Sequence, residues 1–150
     1  MAVLMAGAAK RALDMTLSHV AERQQFGRPI SQFQAVQNQI SVMAERVWAM
    51  RMAARLAMLS SGCSPDAARV ALGKARCSVA AAEVADIAHA LHGAIGITEE
   101  FDLQLHTRRL REWRRAGGTE AWWARRLGLA VIESGDKTAL DFILDTLRVG

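Results

Sequence analysis

A chain of 150 residues has room for one domain, because single hydrophobic cores typically organise about 100–200 residues. With 51% apolar and 23% charged residues it lies in the ordinary globular range, which excludes intrinsic disorder, and no apolar run reaches the roughly 18 residues that a membrane span needs. The net charge of +4 admits an anionic partner, be it a phosphate-bearing cofactor, a nucleic acid or a membrane surface, without choosing among them.

Ala, Leu, Val and Met carry the apolar content, there are two prolines and no tyrosine, and β-branched runs are few, which is a helical composition. Cys63 and Cys77 are too few for a disulfide framework or a zinc site, so both read as reduced and structural. With no cleavage-type leader at the N-terminus, the expectation is a cytoplasmic protein.

Residues 2–22 place Ala2, Ala6, Ala9, Leu13, Leu17 and Val20 at helical steps, predicting an amphipathic helix that runs into Gly27, Pro29 and Ser31. Ser31 is the expected N-cap of a second helix over about 32–59, striped by Phe33, Val36, Ile40, Met43, Val47, Met50, Ala54 and Ala57. Ser60, Ser61 and Gly62 break it, and Ser64-Pro65-Asp66 reads as cap, first-turn proline and first-turn acid of a third. That helix, 65 to about 92, carries Val70, Gly73, Cys77, Ala80, Val84, Ile87 and Leu91 on one face. Gly93 and Gly96 end it, and Thr98 with Glu99 and Glu100 behind it is expected to start a fourth helix bearing Leu103, Leu110 and Trp113. After Gly117 and Gly118, Thr119 caps a fifth through about Ser134, with Trp122, Trp123 and Leu127; a short helix over about 136–148 closes the chain. The fold class is therefore all-α: an antiparallel, four-helix-type bundle over residues 1–150 with additional C-terminal helices.

Three glycine-containing breaks interrupt the helices, each with residues suited to an anion or an aromatic ligand, and the first two are the more explicit. Around Arg23, Gln25, Phe26 and Gly27, a guanidinium offers a planar fork for a phosphate; around Gly93, Ala94 and Gly96, small residues bare backbone N–H groups. On spacing alone, ordinary helix ends account for both.

The ordered set Glu22-Arg23-x-x-Phe26-Gly27-x-Pro29-Ile30-x-x-Phe33-Gln34, then His92-Gly93-Ala94-Ile95-Gly96-Ile97-Thr98-x-Glu100, then Arg108-Arg109 and Gly118-Thr119, resembles the C-terminal domain of acyl-CoA dehydrogenases. It spans almost the whole chain. The resemblance implies a helical bundle that packs against another subunit, alike or different, with FAD lying partly across the interface and an acyl-CoA as substrate of the complete enzyme. It carries the cofactor contacts onto Arg23, Gln25, Phe26, Phe33, Gln34, Gly93, Ala94, Gly96 and Thr119. Departures are Ala90, where many members have glutamine, and Ala94, where they have a second glycine.

The family's reaction takes a proton α to the thioester with a carboxylate while hydride leaves the β-carbon for the flavin. The usual glutamate falls on Gly117, which has no side chain to do it, and the alternative position in some members precedes Met1. Glu120 is a poor substitute, read first as a helix-start acid. The expectation is a domain lacking the family's N-terminal helical and middle β domains, inactive alone, self-associating through uncovered apolar faces, or else the base-less subunit of a heteromer.

Two other classes are weaker. Arg108, Arg109, Arg111, Arg114 and Arg115 form a basic run, but without a nucleic-acid reading motif, so no nucleic-acid partner is expected. Glu83, Asp86 and His89 suggest a diiron bundle, but no second acid-x-x-His matches them: Asp102 and His106 are four apart and neither Glu99 nor Glu100 has the histidine, so no metal is expected.

Overall fold

The computed structural model describes residues 1–59, 64–135 and 138–147. In chain order they form α1 (Ala2–Glu22), β1 (Gln24–Gln25), β2 (Arg28–Pro29), a 3-10 turn (Ile30–Gln32), α2 (Gln34–Met58), α3 (Ala67–His92), a second 3-10 turn (Gly93–Ile97), α4 (Leu103–Arg115), α5 (Glu120–Glu133) and α6 (Ala139–Leu147). Helices α1 to α4 make an antiparallel bundle in which each neighbour in sequence is a neighbour in space and α4 closes back on α1. Helix α3 is its axis, packed against α1, α2, α4 and α5.

The stripe expected on α2 is the buried one: Met43, Val47, Met50, Ala54 and Ala57 face inward. On α3 the buried face includes Gly73, Cys77, Ala80 and Val84. On α1 the expected Ala6, Ala9, Leu13 and Val20 are buried, while Leu17 is exposed. Met5, Ala8, Ala12 and Thr16 are buried with them, so the inward face is broader than the single expected stripe. The Thr16 hydroxyl, buried in this core, donates to Ala12 O at 2.7 Å and so needs no outside partner.

Small residues set the spacing. A Cβ built on Gly73 would lie 2.6 Å from Ala57 Cβ and 2.8 Å from Ala53 O, so α3 crosses α2 at a point where only hydrogen fits.

Three helix starts differ from expectation. Ser31 sits inside the first 3-10 turn, where its carbonyl accepts from Gln37 Nε2 at 3.0 Å, and α2 begins after Phe33 without a side-chain cap. Asp66, not Ser64, caps α3, its carboxylate accepting from Arg69 N at 2.7 Å, because the helix starts at Ala67 and so places Asp66 at the cap position. Thr98 starts no helix: its hydroxyl turns back to Ile95 O at 2.9 Å, closing the second 3-10 turn, and α4 starts only at Leu103. Thr119 does cap α5, accepting from Trp122 N at 3.3 Å. The predicted break at Ser60, Ser61 and Gly62, and Cys63 with it, lie outside the described residues; Cys77 is a buried free thiol, and burial pushes its pKa up to about 11.

Candidate functional site

The connector between α1 and α2 is a miniature antiparallel hairpin, Gln24 opposite Pro29 and Gln25 opposite Arg28. Its two-residue loop is Phe26 and Gly27, with φ of +53° and +79°. Positive φ at both loop residues is the tight turn whose twist suits a hairpin, and glycine adopts it freely. Phenylalanine does not, and a bulky residue held there costs on the order of 1–3 kcal/mol. The ring gains little from burial in return: Phe26 is 92% exposed, and it meets Phe33 edge-on at 6.1 Å between centroids. Arg28 covers Phe33, its guanidinium 4.2 Å from the ring centroid. Arg23, at the hairpin's base, is exposed and has no ion pair among the described residues.

Across from the hairpin lies the 3-10 turn at the end of α3, and between them opens a groove of about 690 Å³. Arg23, Gln25, Phe26 and Phe33 line one wall and Gly93 and Ala94 the other. Gly93 has φ of +64° with open space where a Cβ would be, so its backbone is bare to the groove.

Of the remaining residues singled out in the sequence, Gln34 is exposed on α2 and is not part of the groove lining. Gly96 is buried beneath the turn. A Cβ on it would stand 2.8 Å from His92 Cβ and 3.2 Å from a Leu103 methyl, so it serves close packing. Thr119 lies at the other end of α3, beside Lys74; the 19 residues from Lys74 to Gly93 put the two ends about 28 Å apart. Within one chain, therefore, the first two breaks share a groove and the Gly118 break does not.

The groove floor holds two residues to which the sequence assigns no role at the site. His19 and His92 stack at 4.3 Å with Phe101 against both, and His92 Nδ1 is 2.8 Å from Ala88 O. A carbonyl can only accept, so Nδ1 carries the proton and Nε2, buried and without a partner, keeps its lone pair. The only signal in sequence is a histidine at the last turn of a helix, which is commonplace.

All four histidines, His19, His89, His92 and His106, are held below the ordinary 6.5, with burial the leading cause in each. The fold thus prefers neutral imidazoles, and the unfolded chain takes up protons first. Their contribution is complete above about 6.5 and is lost as pH falls from there toward the lowered native values. The urea midpoint is expected to drop between pH 7 and pH 5.5, and His92→Gln to flatten that drop; a midpoint level across this window would contradict the assignment.

At the far end, Gly117 and Gly118 have φ of +70° and +108°, and Trp123 Nε1 donates to Gly117 O at 2.9 Å. Glu120 is gripped by Arg114 through both guanidinium branches, Nε reaching Oε2 at 3.2 Å, and that pairing holds its carboxyl below the usual range. A carboxylate so neutralised is a weak base. Ion pairing also engages residues of the basic run and of the diiron set. Arg111 pairs with Asp86 at 2.6 Å and Arg46 with Glu83, and among the described residues no cluster of His, Cys, Asp or Glu could hold a metal ion. No described helix is long and apolar enough to cross a membrane.

This bundle of helices is the architecture of acyl-CoA dehydrogenase C-terminal domains. The chain belongs to the acyl-CoA dehydrogenase family: the model of the acyl-CoA dehydrogenase C-terminal domain matches residues 1–131. It is 37% identical over 109 residues to acyl-CoA dehydrogenase IpdE2 of Mycolicibacterium smegmatis, covering 73% of this chain and 34% of that protein. Among solved structures it resembles the FAD complex of PigA, with a TM-score of 0.80 and 27% identity over 89% of this chain and 35% of that one. A variant of the Tcur3481-Tcur3483 steroid ACAD gives a TM-score of 0.80 and 28% identity over 89% of this chain and 37% of that one. The chain spans about a third of the length of the relatives it matches.

Proposed function

We propose that the chain is the FAD-site and assembly domain of an acyl-CoA dehydrogenase and that it supplies no proton-abstracting base. The observation that carries the reading is the hairpin tip: a phenyl ring kept almost wholly in solvent on a strained backbone, beside an unpaired guanidinium and facing the bare Gly93 turn. Strain without compensating burial is the signature of a group held for a ligand. Arg23 and the open backbone at Gly93 suit a pyrophosphate, and Phe26 offers a flat apolar face to a ring system. FAD carries both groups, and the PigA structure is an FAD complex. Bound flavin would accept the hydride from the acyl β-carbon. This chain's own part is to bind and orient the cofactor through Arg23, Gln25, Phe26, Phe33 and the turn at Gly93 and Ala94. Thr119 would meet a flavin at a separate place, because the two regions are far apart along α3.

The base-less heteromer reading draws on Gly117, on the arrested Glu120 and on the likeness to the Tcur3481-Tcur3483 enzyme, a heteromeric dehydrogenase. The remaining domains and the carboxylate then come from protein outside these 150 residues, and the acyl-CoA binds chiefly there.

Purified alone, the chain is expected to be colourless and to reduce no dye with any acyl-CoA, and Glu120→Gln to change neither result. Co-expressed with its complementing dehydrogenase subunit or domains, it should give a yellow complex. Phe26→Ala or Arg23→Ala should then raise the FAD dissociation constant about tenfold, roughly 1.4 kcal/mol, without shifting the melting temperature of the free chain. Unchanged FAD affinity in both variants would sink the groove as cofactor site.

A further inference from the structure

Lys74 is the one buried cation of the described residues, 4% exposed, and it has no carboxylate partner. Its ammonium instead donates to three oxygens: Ser78 Oγ at 2.8 Å, Arg114 O at 3.0 Å and Gly118 O at 3.2 Å. Burial pushes its pKa down, Glu120 pulling the other way. A lone buried ammonium is costly, and the site offsets that cost only because all three donors are used and because Arg114 O belongs to the last turn of α4. The last carbonyls of a helix lack intrahelical donors and carry its negative pole. Ser78 Oγ lies 3.3 Å from the same Arg114 O, so α3 grips that carbonyl twice.

The turn so held is Gly117-Gly118-Thr119, two left-handed glycines followed by the cap of α5. Glycines restrain a backbone least of all residues, and Gly117 is exposed. Within α4 and α5 the turn is tied by Gly118 N to Arg115 O at 3.3 Å, by the Trp123 indole to Gly117 O, by the Thr119 cap and, across it, by the Arg114–Glu120 pair. Among the described residues, the hydrogen bond from Lys74 is the one that reaches the turn from another helix than the two it joins.

We propose that Lys74 is the positioning residue of the Gly117–Thr119 turn, fixing through Arg114 O and Gly118 O the segment that stands where the family bears its base and that presents the Thr119 cap. What this does for cofactor or substrate rests on the proposed function; the clamp itself does not. The experiment therefore uses the full chain without flavin. In Lys74→Met, of similar length and apolar, the Trp123 indole resonance and the Gly118 and Thr119 amides are expected to move. Amide exchange across 118–123 should speed up by roughly tenfold more than exchange in the cores of α1 and α2. Ser78→Ala, which deletes one acceptor and one of the two grips on Arg114 O, should move the same signals by less, and it decides the matter if Lys74→Met does not fold. Uniform loosening of all helices, or an unmoved Trp123 indole and Gly118 amide, would overturn the proposal.

Discussion

Gly73→Val is expected to cost the protein about 3 kcal/mol or more of its stability. The first carbon of any side chain there would overlap Ala57 Cβ at 2.6 Å and Ala53 O at 2.8 Å, and the second of these is backbone, which cannot swing aside as a flexible side chain can. Alanine regains about 1 kcal/mol of helix propensity over glycine, against an overpacking cost of about 1–3 kcal/mol, so Gly73→Ala should lose up to about 2 kcal/mol. Valine adds two methyl groups to the same contact with no propensity gain over alanine, and domains have only about 5–15 kcal/mol in hand. Urea unfolding followed by circular dichroism reads both variants; a Gly73→Ala protein more stable than the parent would show that α2 and α3 can slide apart.

Gly96→Val is the second large effect, and it separates packing from ligand contact. The family resemblance places Gly96 against the cofactor, but it is buried against His92 Cβ and Leu103. A side chain there should push the Gly93–Ile97 turn off the start of α4, costing about 1–3 kcal/mol and deforming the groove. Because Leu103 is the flexible neighbour, Gly96→Val and Leu103→Ala together should cost less than the sum of the two, a coupling that a double-mutant cycle measures. Lost FAD binding at unaltered stability would instead return Gly96 to the ligand.

How much the sequence reveals differs from element to element. Helix α2 is legible in its buried face because Met43, Val47 and Met50 repeat at helical steps with Ala54 and Ala57, although Val42, Trp48, Met52 and Met58 stand exposed on its other faces. Helix α1 is legible in most of its buried face, Ala6, Ala9, Leu13 and Val20, but not in the breadth of that face, because alanines on either side of the stripe are small enough to be buried as well. The hairpin is unreadable: Gln-Gln-Phe-Gly-Arg-Pro shows neither alternation nor an Asn-Gly or Asp-Gly loop, and its strands are two residues long. Gly93, Ala94, Arg23, Gln25, Phe26 and Phe33 can be named from the resemblance, and the fold does gather them at one groove. Gln34, Gly96 and Thr119 can be named equally well and are not there, since family order along a chain does not say which residues face one another. Lys74 leaves a faint trace, a charge inside an apolar stripe. Of its three partners Ser78 lies one turn on, but the other two are 40 and 44 residues away and are backbone carbonyls, which no pattern of side chains reveals.

Helix α3 joins two dissimilar tips: a pocket edged by guanidinium and phenyl groups at one, a glycine corner tethered by an ammonium at the other. A continuous helix crowded by neighbours on several sides neither bends nor shortens readily. Whatever docks at one tip is consequently held at a set distance from whatever docks at the other, so the chain is built like a strut whose length registers two separate stations.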